Sequence, residues 1–443
     1  MSPRRNIFVV AIVLVVSVPN TFGKGKKIEC RSSDLPTPTY FVDPTATKRG
    51  NVDIRSHVYV APFALLNADR YNILLDEDSD VQDSVRVDAS AGPLVIGKMA
   101  ILAHGATVKS NPNPKIPEFH PAIGIGGTCP GAAPSAVCPS FVGFNAEVDG
   151  GIVQLDAMVG ILARVGPGVT IPSGRKVKPG KNVTSDADVM ALTEPVTNDD
   201  REFMNGVIDV NVALAKGYEE LSNADSTQVV GINCNPSTSF ASSVVPVLDG
   251  QGERQVPSFL DRIIGHVHTG DTLESLERVM TERGISIRGD EGFPLEIGSI
   301  TRISNGTTVH ALKGTSVVLG PEGTYGVYSI VHGGTHRTTT TGSKFSIGER
   351  AVFYDSAAPA NCTIPARTLI YDSNLTADDC KKISDHEIWE KGKFLWKVDW
   401  REKPALEVIP PSLSEITGED RKELIPVSRW LDIGMAKVIA FEQ

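Results

Sequence analysis

The chain has 443 residues, which is enough for two or three domains with their own hydrophobic cores. Its formal net charge is −10, and its acidic residues are spread along the whole sequence. A nucleic-acid-binding protein would need a basic surface, so we expect no nucleic-acid partner.

The N-terminus has the layout of a secretory signal peptide, which we assign to residues 1–24. Arg4 and Arg5 precede an apolar run from Ile7 to Val18, and small residues follow it. This run is shorter than the span of about 20 residues that a transmembrane helix needs, and an uncleaved anchor is the alternative. No later segment is long and apolar enough to span a bilayer. We therefore expect entry into the secretory pathway, ending outside the cell or in an organelle lumen, with no membrane span after signal removal.

Six cysteines behind an export signal indicate disulfide bonds, because oxidising compartments favour them. We pair close neighbours and join the remaining two, which gives Cys129 with Cys138, Cys362 with Cys380, and Cys30 with Cys234. The alternative is that these thiols are unpaired and buried. The chain is also compatible with a glycoprotein, since Asn-x-Ser/Thr sequons occur at Asn182, Asn305, Asn361 and Asn374.

A six-residue spacing of aliphatic residues is the strongest pattern in the first half of the chain. It runs without a miss through Val153, Val159, Val165, Ile171, Val177 and Val183. Each such hexapeptide is typical of one short strand and one turn in a parallel β-helix, where the aliphatic side chain points inward. The sequence therefore predicts a mainly β first module at residues 36–223, with an ordinary β-sandwich as the alternative.

The same spacing returns later in the chain. It appears at Ile297, Ile303 and Val309, and again at Val352, Ala358, Ile364 and Ile370. We predict a second, less regular β-helix module at residues 285–378, in tandem with the first. Because its pattern is shorter, the β-sandwich alternative applies more strongly here.

A packing helix is expected after each module. Thr197 can cap the first helix, with Asp200 three residues on as a variant of the capping box. Its apolar face, which begins at Met204, also contains Asn211. We expect residues 224–284 to be a linker with a short helix at 272–283, and residues 379–443 to form a Trp-rich second packing helix and an irregular tail.

Two stretches of the chain resemble one metalloenzyme family, the γ-class carbonic anhydrases, and especially the archaeal type. In the first module the resemblance covers residues 38–108 and 165–221. In the second it runs from Ile287 to about Leu375 and is most specific at the segments RGDEG and VHALKGT. The resemblance implies left-handed β-helices that form trimers. It also implies zinc at the interface, with two histidines from one β-helix and a third from its neighbour.

The histidines of this family map unevenly onto the two modules. The position donated to the neighbour falls on His104 of the first module, while the other two fall on His310 and His336 of the second. His332 lies one residue out of register with the position of the second module that is donated to the neighbour, and it is kept as an alternative to His104. The resemblance thus implies one composite zinc site between the two modules, and one zinc per chain. Fe²⁺ or Co²⁺ are the other divalent metals considered.

Other residues of the family's site are also divided between the modules. The resemblance implies that Gln82 holds the attacking hydroxide, that Asn211 closes the pocket and that Glu291 moves the proton out. It further implies an interface pair in which Arg288 meets Asp69, with Asp290 beside Arg288 in the RGDEG segment. In the first module, by contrast, the two remaining ligand positions hold Asp88 and Lys109, and the arginine position holds Asn67.

The function implied is zinc-dependent reversible hydration of CO₂ to bicarbonate, the reaction of a carbonic anhydrase. The alternative is a non-catalytic γ-carbonic-anhydrase-like subunit of a larger assembly. A hexapeptide-repeat acyltransferase is a third reading, which nothing beyond the repeat supports. Because a family trimer needs three β-helices and this chain has two, further copies of the chain or a homologous subunit are the expected partners.

Overall fold

The structure is a computed structural model. It describes residues 40–110, 121–130, 137–233, 236, 247–248, 252–253, 255–280, 283–291, 293–300, 302–335, 337–384 and 395–397. None of the helices in these ranges combines the length and hydropathy that crossing a bilayer requires.

The fold is a mainly β, left-handed parallel β-helix in two tandem modules, which confirms the predicted fold class. Short parallel strands stack coil upon coil, because each coil can bury its aliphatic side chains only against the next. The strands of the first module are β1 (Tyr40–Val42), β2 (Thr47–Ile54), β3 (Val58–Val60), β4 (Leu65–Leu75), β5 (Asp80–Val81), β6 (Arg86–Asp88), β7 (Leu94–Ile96), β8 (Ala100–Leu102), β9 (Thr107–Lys109), β10 (Ala122–Ile123), β11 (Ser140–Val142), β12 (Glu147–Asp149), β13 (Ile152–Val153), β14 (Met158–Val159), β15 (Arg164–Val165), β16 (Thr170–Ile171), β17 (Arg175–Val177), β18 (Asn182–Val183) and β19 (Thr193–Pro195).

One face of the first module is the sheet β1-β3-β5-β8-β11-β14-β17-β19, which we call the inner face because it packs against the second module. The other two faces join into a single sheet, because the long strand β4 pairs with β6 at one end and with β7 at the other. The six valine and isoleucine residues of the unbroken run lie one in each of β13 to β18, and all are fully buried in the module's interior. The repeat thus has the structural meaning that its spacing predicted.

The second module has the same construction. Its strands are β20 (Ile232–Asn233), β21 (Val247–Leu248), β22 (Gly252–Glu253), β23 (Arg262–Gly265), β24 (Val267–Thr269), β25 (Ser286–Gly289), β26 (Leu295–Ile297), β27 (Arg302–Ile303), β28 (Thr308–Ala311), β29 (Val317–Leu319), β30 (Thr324–Tyr325), β31 (Ile330–Gly333), β32 (Thr339–Thr341), β33 (Ser346–Ile347), β34 (Val352–Tyr354), β35 (Ala357–Ala358), β36 (Thr363–Ile364), β37 (Thr368–Tyr371) and β38 (Leu395–Lys397). The sheet β20-β23-β25-β28-β31-β34-β37-β38 faces the first module, and the other two faces are β22-β21-β24-β26-β29-β32-β35 and β27-β30-β33-β36.

Three expectations for the second half differ from the structure. Residues 224–284, expected to be a linker with a short helix, contain β20 to β24, of which β23 pairs in parallel with β25 and β24 pairs in parallel with β26. Val352 does not point inward as the spacing predicted, because its neighbour Phe353 fills the interior while Val352 packs between the modules. Trp396 lies in strand β38, which pairs antiparallel with β37, and not in a helix.

Helices connect and cover the coils. They are α1 (Asp186–Leu192), α2 (Asn198–Ala224), α3 (Leu273–Val279) and α4 (Ala377–Ser384). The predicted capping box of α2 is present, since the Thr197 side chain accepts from the Asp200 backbone and the Asp200 side chain accepts from the Thr197 backbone. The buried face of α2 fills the space between the modules, where Met204 and Leu214 are fully enclosed. This helix therefore belongs to the inter-module core.

Two disulfides join the pairs that their spacing predicted, Cys129 with Cys138 and Cys362 with Cys380. The second of these ties α4 to the turn before β36. The predicted pair of Cys30 and Cys234 lies outside the described residues.

Candidate metal centre

Parallel register places three of the predicted site residues in one column of the second module. Arg288 of β25 lies beside His310 of β28, and His310 lies beside His332 of β31. Side chains in register on parallel strands point to the same side, and here that side faces the first module. Arg288 of the RGDEG segment, His310 of the VHALKGT segment and His332 of the next coil therefore lie on the same surface.

The first module contributes His104 from the turn after β8, on its inner face. The His104 Nε2 atom lies 3.2 Å from the Nδ1 atom of His310. The ring centroids of His104 and His332 are 5.2 Å apart, and those of His310 and His332 are 5.1 Å apart. One ring nitrogen from each histidine lies within 4.8 Å of the others, and all three residues are at most 3% exposed. The three imidazoles therefore converge across the module boundary.

Each of the three histidines has one ring nitrogen that contacts a neighbouring protein group, and its other ring nitrogen faces the other two histidines. His332 Nδ1 lies 2.7 Å from the Gly333 carbonyl oxygen, which can only accept, so His332 Nε2 keeps its lone pair. His104 Nδ1 lies 3.0 Å from the Asp83 carboxylate, which leaves His104 Nε2 as the lone-pair atom in the same way. The His310 Nε2 atom lies 3.2 Å from Glu291 Oε1 and 3.3 Å from Asp290 Oδ1, so Nδ1 is its inward atom.

This donor set fits a tetrahedral zinc ion. Zinc–nitrogen bonds of about 2.0–2.1 Å at tetrahedral angles place two ligand nitrogens about 3.3 Å apart. The 3.2 Å between His104 Nε2 and His310 Nδ1 is close to that separation. Two lone pairs at this distance repel, so this buried pair of nitrogens needs either a proton or a metal ion between them. Three imidazoles also leave one coordination position for a reactant.

The charge states of the histidines are compatible with metal binding. Burial lowers the pKa of His104 to about 4, and burial lowers the pKa of His332 well below its usual range, so both rings are neutral at pH 7. Burial also acts to lower the pKa of His310, but the Glu291 charge and the Asp290 carboxylate raise it to about 9. Binding a metal ion there requires His310 to release a proton, which makes metal affinity depend on pH.

A buried ionic network joins the two modules next to the histidines. The Arg288 guanidinium contacts Asp83 of the first module, with Nη1 2.6 Å from Oδ2, and Asp290 of its own module at 3.0 Å. Ser286 Oγ donates to the other Asp83 oxygen at 2.6 Å, and Tyr218 of α2 donates to Asp290. Despite burial, the Arg288 charge holds the pKa of both Asp83 and Asp290 well below the usual range. Both carboxylates are therefore ionised at any physiological pH.

The predicted pair between Arg288 and Asp69 does not form within the chain. Asp69 lies in the exposed middle of β4, where its half-exposed carboxylate is 3.3 Å from Arg49. Arg288 is instead fully enclosed with Asp83 and Asp290. The reason is geometric, because Asp83 belongs to the inner face whereas β4 belongs to the other sheet of the module.

Gln82 lies beside His104 and is held at both ends of its amide. Its Oε1 accepts the backbone N–H of His104 at 3.2 Å, and its Nε2 donates to Asp80 Oδ2 at 2.9 Å. Asp80 is fully buried, and burial raises the pKa of its carboxyl well above the usual range. A neutral Asp80 therefore fixes the orientation of Gln82.

The remaining predicted residues have different surroundings. Glu291 contacts His310 and is 6% exposed, which places it next to the histidines near the edge of the buried region. Asn211 is buried on α2, and its amide donates to the Val207 carbonyl of the same helix at 2.9 Å. That bond accounts for its burial, and a part in closing the pocket stays a prediction. His336 lies outside the described residues. His332, which the sequence kept as an alternative to His104, is grouped by the structure with both His104 and His310.

The first module carries a column equivalent to that of the second, but with other residues. Asn67 of β4 lies beside Asp88 of β6, which lies beside Lys109 of β9. Asn67 donates to Asp88 at 2.9 Å, so polar partners occupy this column instead of imidazoles. It offers no set of three histidines, as the sequence predicted.

Sequence reasoning missed Asp80, Asp83 and Ser286 as parts of the site. Asp80 and Asp83 flank Gln82, which the family resemblance had already singled out, so their proximity was a usable signal. Ser286 precedes Arg288 by two residues on the same strand and therefore points to the same side.

Comparison with known proteins adds two relatives. No family model matches the chain. A carbonic anhydrase from Methanosarcina thermophila is 31% identical over 201 residues, which cover 43% of this chain and 77% of that protein. The carboxysome assembly protein CcmM from Nostoc sp. is 33% identical over 116 residues, which cover 25% of this chain and 20% of that protein.

Solved structures give a more distant likeness. A hexapeptide transferase family protein from Anaplasma phagocytophilum is 20% identical, with a TM-score of 0.27, over 40% of this chain and 91% of that one. An Arabidopsis UDP-N-acetylglucosamine acyltransferase is 11% identical, with a TM-score of 0.21, over 75% of this chain and 72% of that one. Similarity at this level says nothing about activity.

Proposed function

Because this chain belongs to the γ-class carbonic anhydrase family, we propose that it catalyses the reversible hydration of CO₂ to bicarbonate at a metal ion between its two modules. His104, His310 and His332 are the residues that would hold this ion, which we take to be zinc, one per chain. A bound zinc supplies Lewis acidity that brings the pKa of water close to 7. The observation that carries the proposal is the convergence of three buried imidazoles from two modules.

The residues around the histidines have roles that follow from their contacts. Asp83 fixes the ring of His104 through Nδ1, so that Nε2 faces the other two histidines. Gln82 has one amide N–H left after its bond to Asp80, and this N–H is suited to orient an oxygen of the reactants. Glu291 lies within 3.2 Å of His310 and is the carboxylate best placed to accept the proton released by hydration.

The resemblance to CcmM supports a second candidate, a non-catalytic subunit of a larger assembly. The first module favours this reading, because its Asn67–Asp88–Lys109 column has polar pairing where the second module has histidines. On this reading the β-helix modules would serve as binding surfaces for copies of the chain or for homologous subunits. Retention of all three histidines at one boundary favours the enzyme.

Metal analysis and CO₂ hydration by the purified full-length chain test the proposal. We expect about one zinc per chain and a hydration rate that falls to the buffer rate after chelation and returns with added zinc. A chain that binds no metal and does not accelerate hydration would leave the structural subunit as the function. Loading with Co²⁺ provides a second readout, since its visible spectrum reports the coordination of the metal independently of turnover.

A further inference from the structure

We propose that the secreted chain carries N-linked glycans at Asn361 and Asn374, and at neither Asn182 nor Asn305. The acceptor reaction joins the side-chain nitrogen of asparagine to the first sugar of a lipid-pyrophosphate-linked oligosaccharide. The amide loses a proton, the sugar–phosphate bond breaks, and the lipid pyrophosphate leaves. Such transfer requires the export route predicted from residues 1–24, and it does not depend on the proposed enzyme activity.

Asn361 and Asn374 both have exposed side chains, and so do the threonines that complete their sequons, Thr363 and Thr376. Asn361 lies in the turn between β35 and β36, with a φ of 60°. Asn374 follows β37 and forms an isolated bridge with Ala357. Both side chains can therefore carry a large sugar without displacing any packed element of the described chain.

Asn305 has the opposite environment. It is fully buried, its side-chain oxygen accepts the Arg283 backbone N–H at 2.7 Å, and its side-chain nitrogen has no solvent-accessible surface. A sugar on that nitrogen would have to occupy the interior between coils, so a glycosylated Asn305 is incompatible with this fold.

Asn182 is half-buried in strand β18, in register with Arg164 of β15. Its side-chain oxygen accepts from Arg164, whose guanidinium also contacts Asp149 and Glu147. The Asn182 side chain is thus a hydrogen-bond acceptor for an arginine that forms two ion pairs along the sheet. A glycan there would break these contacts, so we expect Asn182 to stay unmodified.

The two exposed sequons share one location, the last coil of the second module. β35 and β36 are the terminal strands of their sheets, and α4 packs over β36, where the Cys362–Cys380 disulfide holds it. Within the described chain, residues 373–375 pair with β35 through Ala357, and α4 covers β36. Glycans on both sides of this coil would shield that end of the β-helix, while the histidines lie on the third sheet, away from the sugars.

Expression of the full chain in a eukaryotic secretory host tests the assignment. Enzymatic release of N-glycans in ¹⁸O-water, followed by peptide mass spectrometry, marks each occupied asparagine. We expect the ¹⁸O label at Asn361 and Asn374 alone. Each of N361Q and N374Q should migrate faster on a gel by the mass of one glycan. The matched control N182Q should leave mobility unchanged.

Two results would overturn the proposal, and they have different causes. A secreted chain without sugar at Asn361 and Asn374, or with sugar at Asn305 or Asn182, refutes the choice of sites. A chain that remains inside the cell, keeps residues 1–24 and carries no sugar refutes the export on which the proposal rests. Neither result affects the metal centre, which is tested separately by zinc content.

Discussion

Arg288 of the second module and Asp83 of the first form an ion pair that is enclosed on all sides, with Nη1 and Oδ2 2.6 Å apart. The same Asp83 oxygen lies 3.0 Å from His104 Nδ1. One carboxylate therefore holds the two modules together and also orients a histidine of the candidate metal centre. Structure and site share this atom, so changes to the pair are expected to affect stability and metal binding at once.

Replacing Arg288 by Ala should destabilise the chain strongly, because it leaves the carboxylates of Asp83 and Asp290 buried without their cation. Breaking a buried pair in this way costs about 3–5 kcal/mol, which urea unfolding would measure. The matched control is D69A, which removes the exposed partner of Arg49 and should change stability by about 1 kcal/mol or less. Equal losses for R288A and D69A would contradict the placement of these two aspartates.

Replacing Asp83 by Asn should weaken metal binding and also destabilise the contact between the modules, because the same carboxylate is the partner of His104 and of Arg288. An amide in place of the carboxylate no longer stabilises the Nδ1–H of His104, and such partners of metal-binding histidines typically contribute about 10–100-fold in affinity. Competition with a chelator of known affinity would measure the loss. A variant with unchanged zinc affinity would show that His104 needs no orienting carboxylate.

Replacing His332 by Ala should abolish zinc binding as completely as H104A or H310A, because each removes one of three ligands. Replacing His336 by Ala should leave about one zinc per chain. Zinc content after dialysis shows whether His332 or His336 completes the set with His104 and His310. Loss of zinc in H336A, with retention in H332A, would restore the ligand set that register with the family first implied.

Replacing Glu291 by Gln should slow CO₂ hydration by about 10²-fold if it accepts the released proton, with zinc content unchanged. High concentrations of a buffer such as imidazole should restore part of the rate, because the buffer replaces the missing acceptor. A structural role for Glu291 beside His310 would not respond to buffer. Stopped-flow rates at several buffer concentrations make the distinction.

Replacing Asp80 by Asn should raise stability at neutral pH and flatten its pH dependence. Burial raises the pKa of Asp80 in the folded chain, so the folded state keeps a proton that the unfolded state releases above its ordinary pKa of about 3.9. The stability from this group is thus complete at low pH and is lost as pH rises. Unfolding midpoints between pH 4 and pH 8 would measure the change.

Asp261 provides the matched control for this change. Burial raises its pKa well above the usual range too, but its carboxyl accepts the Ile285 backbone N–H and has no contact with Gln82. D261N should therefore be more stable than the wild type at neutral pH, as D80N should be. Its CO₂ hydration rate should stay unchanged, because Asp261 does not contact Gln82. If the stability of D80N depended on pH more steeply than that of the wild type, Asp80 could not be a neutral buried carboxyl in the folded chain.

The fold followed from the sequence where the chain repeats itself and was less predictable where it does not. Six inward residues from Val153 to Val183 share one step, so spacing alone indicated the β-helix. In the second module the inward residues Phe353 and Ala358 are one residue closer than the repeat requires. Counting back a full repeat from Ala358 therefore gave Val352 as the inward residue instead of Phe353. Strands β20 to β24 carry no clear repeat, because segments rich in polar residues and proline separate them.

The site was predictable to the extent that family motifs mark it. His104 and His310 followed from such motifs, and the structure places them 3.2 Å apart. His332 could be fixed only by strand register, since a shift of one residue turns a side chain to the opposite face. The Asp83–Arg288 pair joins residues that are distant in sequence, and such a contact depends on how two modules dock.

The presence of both modules in one polypeptide has a further consequence for which ligand positions of the metal centre must keep a histidine. His104 and His310 lie in one polypeptide, so the two halves meet at the high effective concentration of an intramolecular contact, on the order of millimolar or more. A pair of separate identical subunits would have to keep every ligand in each copy. Here each half always meets the same unlike half, and the positions now filled by Asp88 and Lys109 are not needed by the histidines at this boundary.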